Sequence, residues 1–180
     1  MTMSGLFKRL GAAIALSLWA APAAGLVDHR GDAVGDEVFR GHYQLVYFGY
    51  TFCPDVCPTS LIVMIEALER LGPAAEAVRP MFVTVDPTRD TPAVLADFVP
   101  AIHPRLVALT GTAEEMAALA ARHGIAVERH ATGDGEHYLI DHTSKFLLIG
   151  PDGRTLAAFP HGIRADHLAR ALEAWVGQKE

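Results

Sequence analysis

Two cysteines, Cys53 and Cys57, are the only thiols in the chain, and both lie in Tyr50-Thr-Phe-Cys-Pro-Asp-Val-Cys-Pro-Thr59. Such a pair can form a disulfide, act as a redox couple, or supply two legs of a metal site. As a structural crosslink it would close a tiny loop and remove little entropy from the unfolded chain. A functional dithiol is the better use of it. Proline after each cysteine turns both away from the α region. The pair is therefore expected on a loop feeding a helix that begins at Pro58. There the positive end of the helix dipole favours thiolate, the form that attacks disulfides and binds metals.

Two thiolates hold a soft cation, and a neutral imidazole is the natural third ligand of a trigonal site. The chain offers nine histidines. Taken singly, each reads as a surface or hydrogen-bonded ring. His142 stands out by position, because it ends the extended run Tyr138-Leu-Ile-Asp-His142 and precedes an apolar strand, in a loop that can face the cysteine loop. His123 and His167 sit in helical patterns, and His130 and His137 flank a Gly-Asp-Gly turn and should face water. Met64, Met81 and Met116 are isolated in apolar elements and read as core. Asp55 and Asp86 could each contribute a weak ligand or a hydrogen bond, but read better as a solvated loop carboxylate and a strand-end turn residue.

The elements that must place these groups alternate. Gln44–Tyr50 is a near-continuous apolar run rich in β-formers, the mark of a strand covered on both faces. Pro58–Leu71 is helical and is stopped by Gly72-Pro73. Strands at Met81–Val85 and Leu106–Leu109 follow, separated by a helix that Thr91-Pro92 opens. Thr112-Ala-Glu-Glu115 is a capping box for a helix running to about His123. Ile125–Arg129 and His137–Ile140 are extended. Phe146–Ile149, the turn Gly150-Pro-Asp-Gly153 and Thr155–Phe159 make a hairpin, and Ala165–Val176 is a closing helix. Leu26–Arg40, polar and turn-rich, fits a small hairpin. The pattern predicts an α/β fold with a partly parallel, mixed central sheet flanked by helices. Ligands in such sheets bind beyond the carboxyl ends of the strands, which is where the cysteines fall.

The chain has 180 residues, enough for one domain, with 15 basic residues against 21 acidic and a net charge of −6. That balance, without a basic stripe, makes nucleic acid an unsuitable partner. At 51% hydrophobic residues the chain is too apolar for disorder. Near the N-terminus Lys8 and Arg9 precede an uncharged apolar run, and Ala21-Pro22-Ala23 places small residues where a signal peptidase cuts. Residues 1–23 read as a cleaved export signal. The competing reading is a retained anchor, since residues 10–27 carry no charge over 18 positions. Either reading puts a single domain, 24–180, outside the cytoplasm, where thiols oxidise unless a reductant or metal holds them.

Four ordered blocks carry a family resemblance. Tyr47-Phe-Gly-Tyr-Thr-Phe-Cys-Pro-Asp-Val-Cys-Pro-Thr-Ser-Leu61 resembles the signature of the SCO/SenC family of copper-handling proteins. Phe82-Val-Thr-Val-Asp-Pro-Thr-Arg-Asp-Thr-Pro92, Leu106–Thr112 and Asp141–Gly153 resemble its further blocks. The resemblance implies a thioredoxin-like fold with an N-terminal hairpin. It implies one copper ion, as Cu(I) and also Cu(II), on Cys53, Cys57 and His142. It implies a metallochaperone that helps to build the dinuclear copper centre of cytochrome c oxidase subunit II, together with other copper chaperones, in the periplasm or anchored to the inner membrane facing it. Family members usually carry a spacer between anchor and domain, and here the apolar block runs almost directly into Leu26.

Other activities compete for the same residues. A thiol-disulfide oxidoreductase, with Cys53 and Cys57 as its redox pair, would keep the oxidase or copper-site cysteines reduced, although such enzymes favour two residues between their cysteines. A copper or redox sensor would use the same three groups. A peroxidase needs a threonine farther from its cysteine than Thr51 is from Cys53, and a catalytic zinc site lacks an accompanying base.

Overall fold

A computed structural model describes residues 25–53, 56–132 and 138–177. The signal or anchor segment 1–23, Asp55 and His137 lie outside the described residues. Among the described residues no helix is long and apolar enough to cross a membrane.

Among the described residues a short hairpin of β1 (Leu26–Asp28) and β2 (Ala33–Val34) comes first, as its turn-rich composition predicts. Next come β3 (Tyr43–Gly49), α1 (Val56–Leu71), β4 (Val78–Thr84), α2 (Pro92–Ile102), β5 (Val107–Thr110) and α3 (Ala113–Arg122). Then follow β6 (Val127–Ala131), β7 (Tyr138–His142), β8 (Lys145–Ile149), β9 (Thr155–Pro160) and α4 (Ala165–Val176). Seven strands form one sheet in the order β2-β1-β5-β4-β3-β8-β9, with β3, β4 and β5 parallel and the outer strands antiparallel. β6 and β7 pair only with each other, as a separate ribbon.

The central strand is buried on both faces because its alternate residues feed two cores. Leu45 and Tyr47 join Leu61 and Met64 of α1, Leu95 of α2 and Leu168 of α4. Val46 and Phe48 join Met81, Met116 of α3 and Ile140 of β7. The three methionines are core residues, each at most 2% exposed. Thr91 and Thr112 cap α2 and α3 as expected, the second in a reciprocal capping box with Glu115.

Several strand ends shift by one or two residues from the sequence expectation, β6 and β7 among them, and two boundaries that flank the site differ for a physical reason. β4 begins at Val78 and runs through Pro80, three residues before Met81. Proline is tolerated there because pairing with β5 starts only at Met81, so the missing N–H falls where β4 has a neighbour on one side. α1 begins at Val56, ahead of Pro58, and Cys57 lies inside its first turn. Proline fits a first turn, whose N–H groups lack helical partners anyway, and the burial of Cys57 against the core offsets the penalty on the residue before it.

Candidate metal centre

β3 runs out at Gly49 and delivers Tyr50 and the cysteine loop beyond the carboxyl end of the parallel strands. The Cys53 backbone N–H closes a turn by donating to the Tyr50 carbonyl at 3.2 Å. Cys57 points back into the core and is 1% exposed, whereas Cys53 is half-buried at the surface. Gly49 makes room for this: a Cβ there would stand 2.8 Å from Cys57 Sγ and 3.0 Å from the Phe82 ring. Below the loop, Asp90 accepts from the Thr51 backbone N–H (3.0 Å), the Thr51 hydroxyl (2.5 Å) and the Thr84 hydroxyl (2.6 Å).

His142 comes from the far end of β7. Its Nε2 lies 3.6 Å from Cys57 Sγ. Its Nδ1 is 3.3 Å from the Thr143 carbonyl oxygen, which can only accept, so Nδ1 carries the proton and Nε2 presents its lone pair to the sulfur. Tyr47 and Tyr50 hold the ring edge-on, each with its centroid 6.3 Å away and planes at 82° and 81°. Burial, only partly offset by Thr143 and Asp141, pushes the His142 pKa below the ordinary histidine value, which keeps the imidazole neutral.

Electrostatics correct one expectation. The helix N-terminus does not make Cys57 a thiolate. Burial pushes its thiol far above the usual range; the Tyr50 backbone N–H pulls part of the way back, and Cys53 and Asp90 push up again. The sulfur sits deep enough that desolvation outweighs the dipole. In the metal-free protein Cys57 therefore holds its proton, with His142 Nε2 as an acceptor. Cys53 and His142 border a common open pocket of about 320 Å³ with Tyr50, Val56, Leu139 and Ser144. Cys57 lies beneath it. Among the described residues no three His, Cys, Asp or Glu side chains form a ready-made ion cage. Two of the three sequence candidates touch, and the third faces them: Cys53 is the hydrogen-bonding neighbour of Cys57.

The other histidines among the described residues stand elsewhere. His123 is packed between Phe39 and Phe48, and exposed His130 pairs with Asp141. Asp86 is the strand-end turn residue expected, its carbonyl accepting from the Arg89 and Asp90 backbone N–H groups at 3.2 and 2.9 Å, but its side chain does more than close a turn. It is fully buried and receives the Tyr138 hydroxyl, Arg89 and Arg129. The Asp86-Pro-Thr-Arg-Asp90 run announced the turn in the sequence but not the burial of both its carboxylates.

The SCO1/SenC family model matches residues 23–177. The mitochondrial SCO2 homologue of Bos taurus is 39% identical over 130 residues, 71% of this chain and 49% of the relative. The chain thus spans about half the length of that curated relative. The structure of Bradyrhizobium japonicum ScoI with copper bound matches with a TM-score of 0.76 and 36% identity, over 84% of this chain and 96% of that one. A structure from the identification of a disulfide switch in BsSco, a member of the Sco family of cytochrome c oxidase assembly proteins, matches with a TM-score of 0.66 and 25% identity, over 86% and 91%. These neighbours share the thioredoxin-like fold that the four sequence blocks imply. The chain belongs to the SCO1/SenC family.

Proposed function

We propose that the chain is a copper metallochaperone whose cargo is held by Cys53, Cys57 and His142. The observation that carries this is the 3.6 Å approach of a lone-pair-bearing imidazole nitrogen to a cysteine sulfur, across 85 positions of sequence. A soft Cu(I) ion suits two sulfurs and one neutral imidazole, and a low-coordinate site leaves room for a partner's thiols to replace ligands one at a time. On binding, Cys57 gives up its proton and Cys53 turns in from the pocket rim. Cu(II) is the second form the site takes. The copper-bound relative supports the cargo. The partner is the dinuclear copper centre of cytochrome c oxidase subunit II, with other copper chaperones upstream. The domain works in the periplasm or at the outer face of the inner membrane, with residues 1–23 as export signal or anchor.

A competition titration of Cu(I) on the reduced full chain tests this. One ion per chain is expected, with Cys53→Ser, Cys57→Ser and His142→Ala each weakening it severely. Unchanged affinity in His142→Ala would remove the three-ligand site.

A second reading uses the same sulfurs as a thiol-disulfide reductase. It is favoured by the facing thiols Cys53 and Cys57, both free. Oxidation to a disulfide would remove two ligands at once, so redox state and copper occupancy exclude each other. Loss of reductase activity without loss of copper binding in a cysteine variant would favour this reading.

A further inference from the structure

The ribbon that carries His142 lies outside the main sheet, so sheet hydrogen bonds do not set the ring's approach to Cys57. Ile140 gives the ribbon an apolar foothold in the core. Besides the Ile140 backbone N–H, which donates to the Tyr50 hydroxyl at 3.4 Å, its polar attachment converges on one side chain. Asp86, just past β4 and fully buried, accepts from the Tyr138 hydroxyl at 2.7 Å and pairs with Arg89 through Nε. Arg129 of β6 reaches Oδ1, the oxygen that also accepts from Tyr138, at 3.5 Å. Arg89 also donates to the Tyr138 carbonyl at 3.1 Å.

The guanidinium carbon of Arg89 lies 3.8 Å from the centroid of the Tyr138 ring, 5.0 Å from that of Phe52 and 5.5 Å from that of Tyr50. Tyr138 belongs to the histidine ribbon; Tyr50 and Phe52 belong to the cysteine loop. One cation thus touches both arms of the centre from a third segment. An exposed ion pair would hold little. Here the carboxylate is without exposure and the Arg89 side chain is 21% exposed, so the pair is largely desolvated and losing one partner strands the other. Planar stacking and a forked donor set are properties of arginine that lysine lacks.

We propose that Arg89, seated on Asp86, is a positioning residue that clasps the histidine ribbon to the cysteine loop and thereby sets the hold of His142 on the cargo. The inference rests on the copper reading above and deepens it.

Arg89→Lys keeps the charge and removes the fork and the stacking. Tyr138→Phe removes only the hydroxyl bond to Asp86 and serves if the first variant does not fold. Two measurements on the full chain decide. In the metal-free reduced protein, amide hydrogen exchange over Tyr138–His142 should quicken roughly tenfold while β3 and β4 keep their protection. In a Cu(I) competition titration, affinity should fall roughly 10-fold, and that loss should vanish in a His142→Ala background, because a residue acting through the imidazole has nothing left to position. Unchanged exchange in the ribbon overturns the clasp. So does loosening of β3 and β4 alongside it, which marks a merely structural role, or an undiminished affinity loss without the imidazole. If the wild-type chain takes up no Cu(I), the function reading fails, and the exchange measurement still decides the clasp.

Discussion

At the scale of single residues, the centre depends on an atom that is missing. Gly49 has no side chain, and Cys57 Sγ fills the space where a methyl group would stand. Gly49→Ala would therefore push the sulfur or the Phe82 ring aside. We expect it to cost about 1–3 kcal/mol of stability as an overpacked core site and to weaken Cu(I) binding as well, whereas Gly162→Ala, in open space, should do neither. Paired denaturant melts and copper titrations would check this, and unchanged affinity in Gly49→Ala would separate the sulfur's position from the packing around it. The two cysteines and His142 were legible in the sequence because their chemistry resides in their own side chains. Arg89 and Asp86 were not. Alone they look like turn charges, and their meaning comes from Tyr50, Phe52 and Tyr138, which the fold brings from both sides of the site.

At the scale of elements, local signals and tertiary packing divide the work. The capping box of α3 is written in four consecutive residues, and both of its hydrogen bonds form. Thr112→Ala should cost about 1 kcal/mol and lower Tm by roughly 2–4 °C without touching the candidate metal centre, 30 positions of sequence away from the ribbon's His142. A larger drop would mean that the cap also holds β5, which it follows directly. The start of α1 was less legible because proline's local preference pointed to Pro58, while the core that Cys57 enters is assembled from β3, β8 and α4. The extended character of β6 and β7 was legible from the flanking turn. Their separation from the main sheet was not, since alternation in sequence does not say which edge a strand joins.

At the scale of the whole molecule, half-buried histidines tie stability to acidity. His123 packs against Phe39 and Phe48, with the Thr155 hydroxyl 3.3 Å from Nδ1. Burial, and then Arg122 and Lys145, depress its pKa. As pH falls through the ordinary histidine range, near 6.5, the unfolded chain takes up a proton that the folded ring refuses. The unfolded state then binds more protons, so stability is full above that range and is lost below it. His142 adds a loss of the same sign. Denaturant melts of the metal-free protein from pH 8 down to 5 should show a shallower acid-side decline in His123→Phe than in wild type; parallel curves would exclude His123 as a source. The mixed sheet and its flanking helices were readable from the order of elements, because short connections leave few topologies. The parting of the ligands between a loop and an independent ribbon has a further consequence for engineering. A peptide copied from Tyr50–Thr59 would inherit both sulfurs and no imidazole, so the grip cannot be grafted as a linear tag. Moving it to another host means transplanting the scaffold.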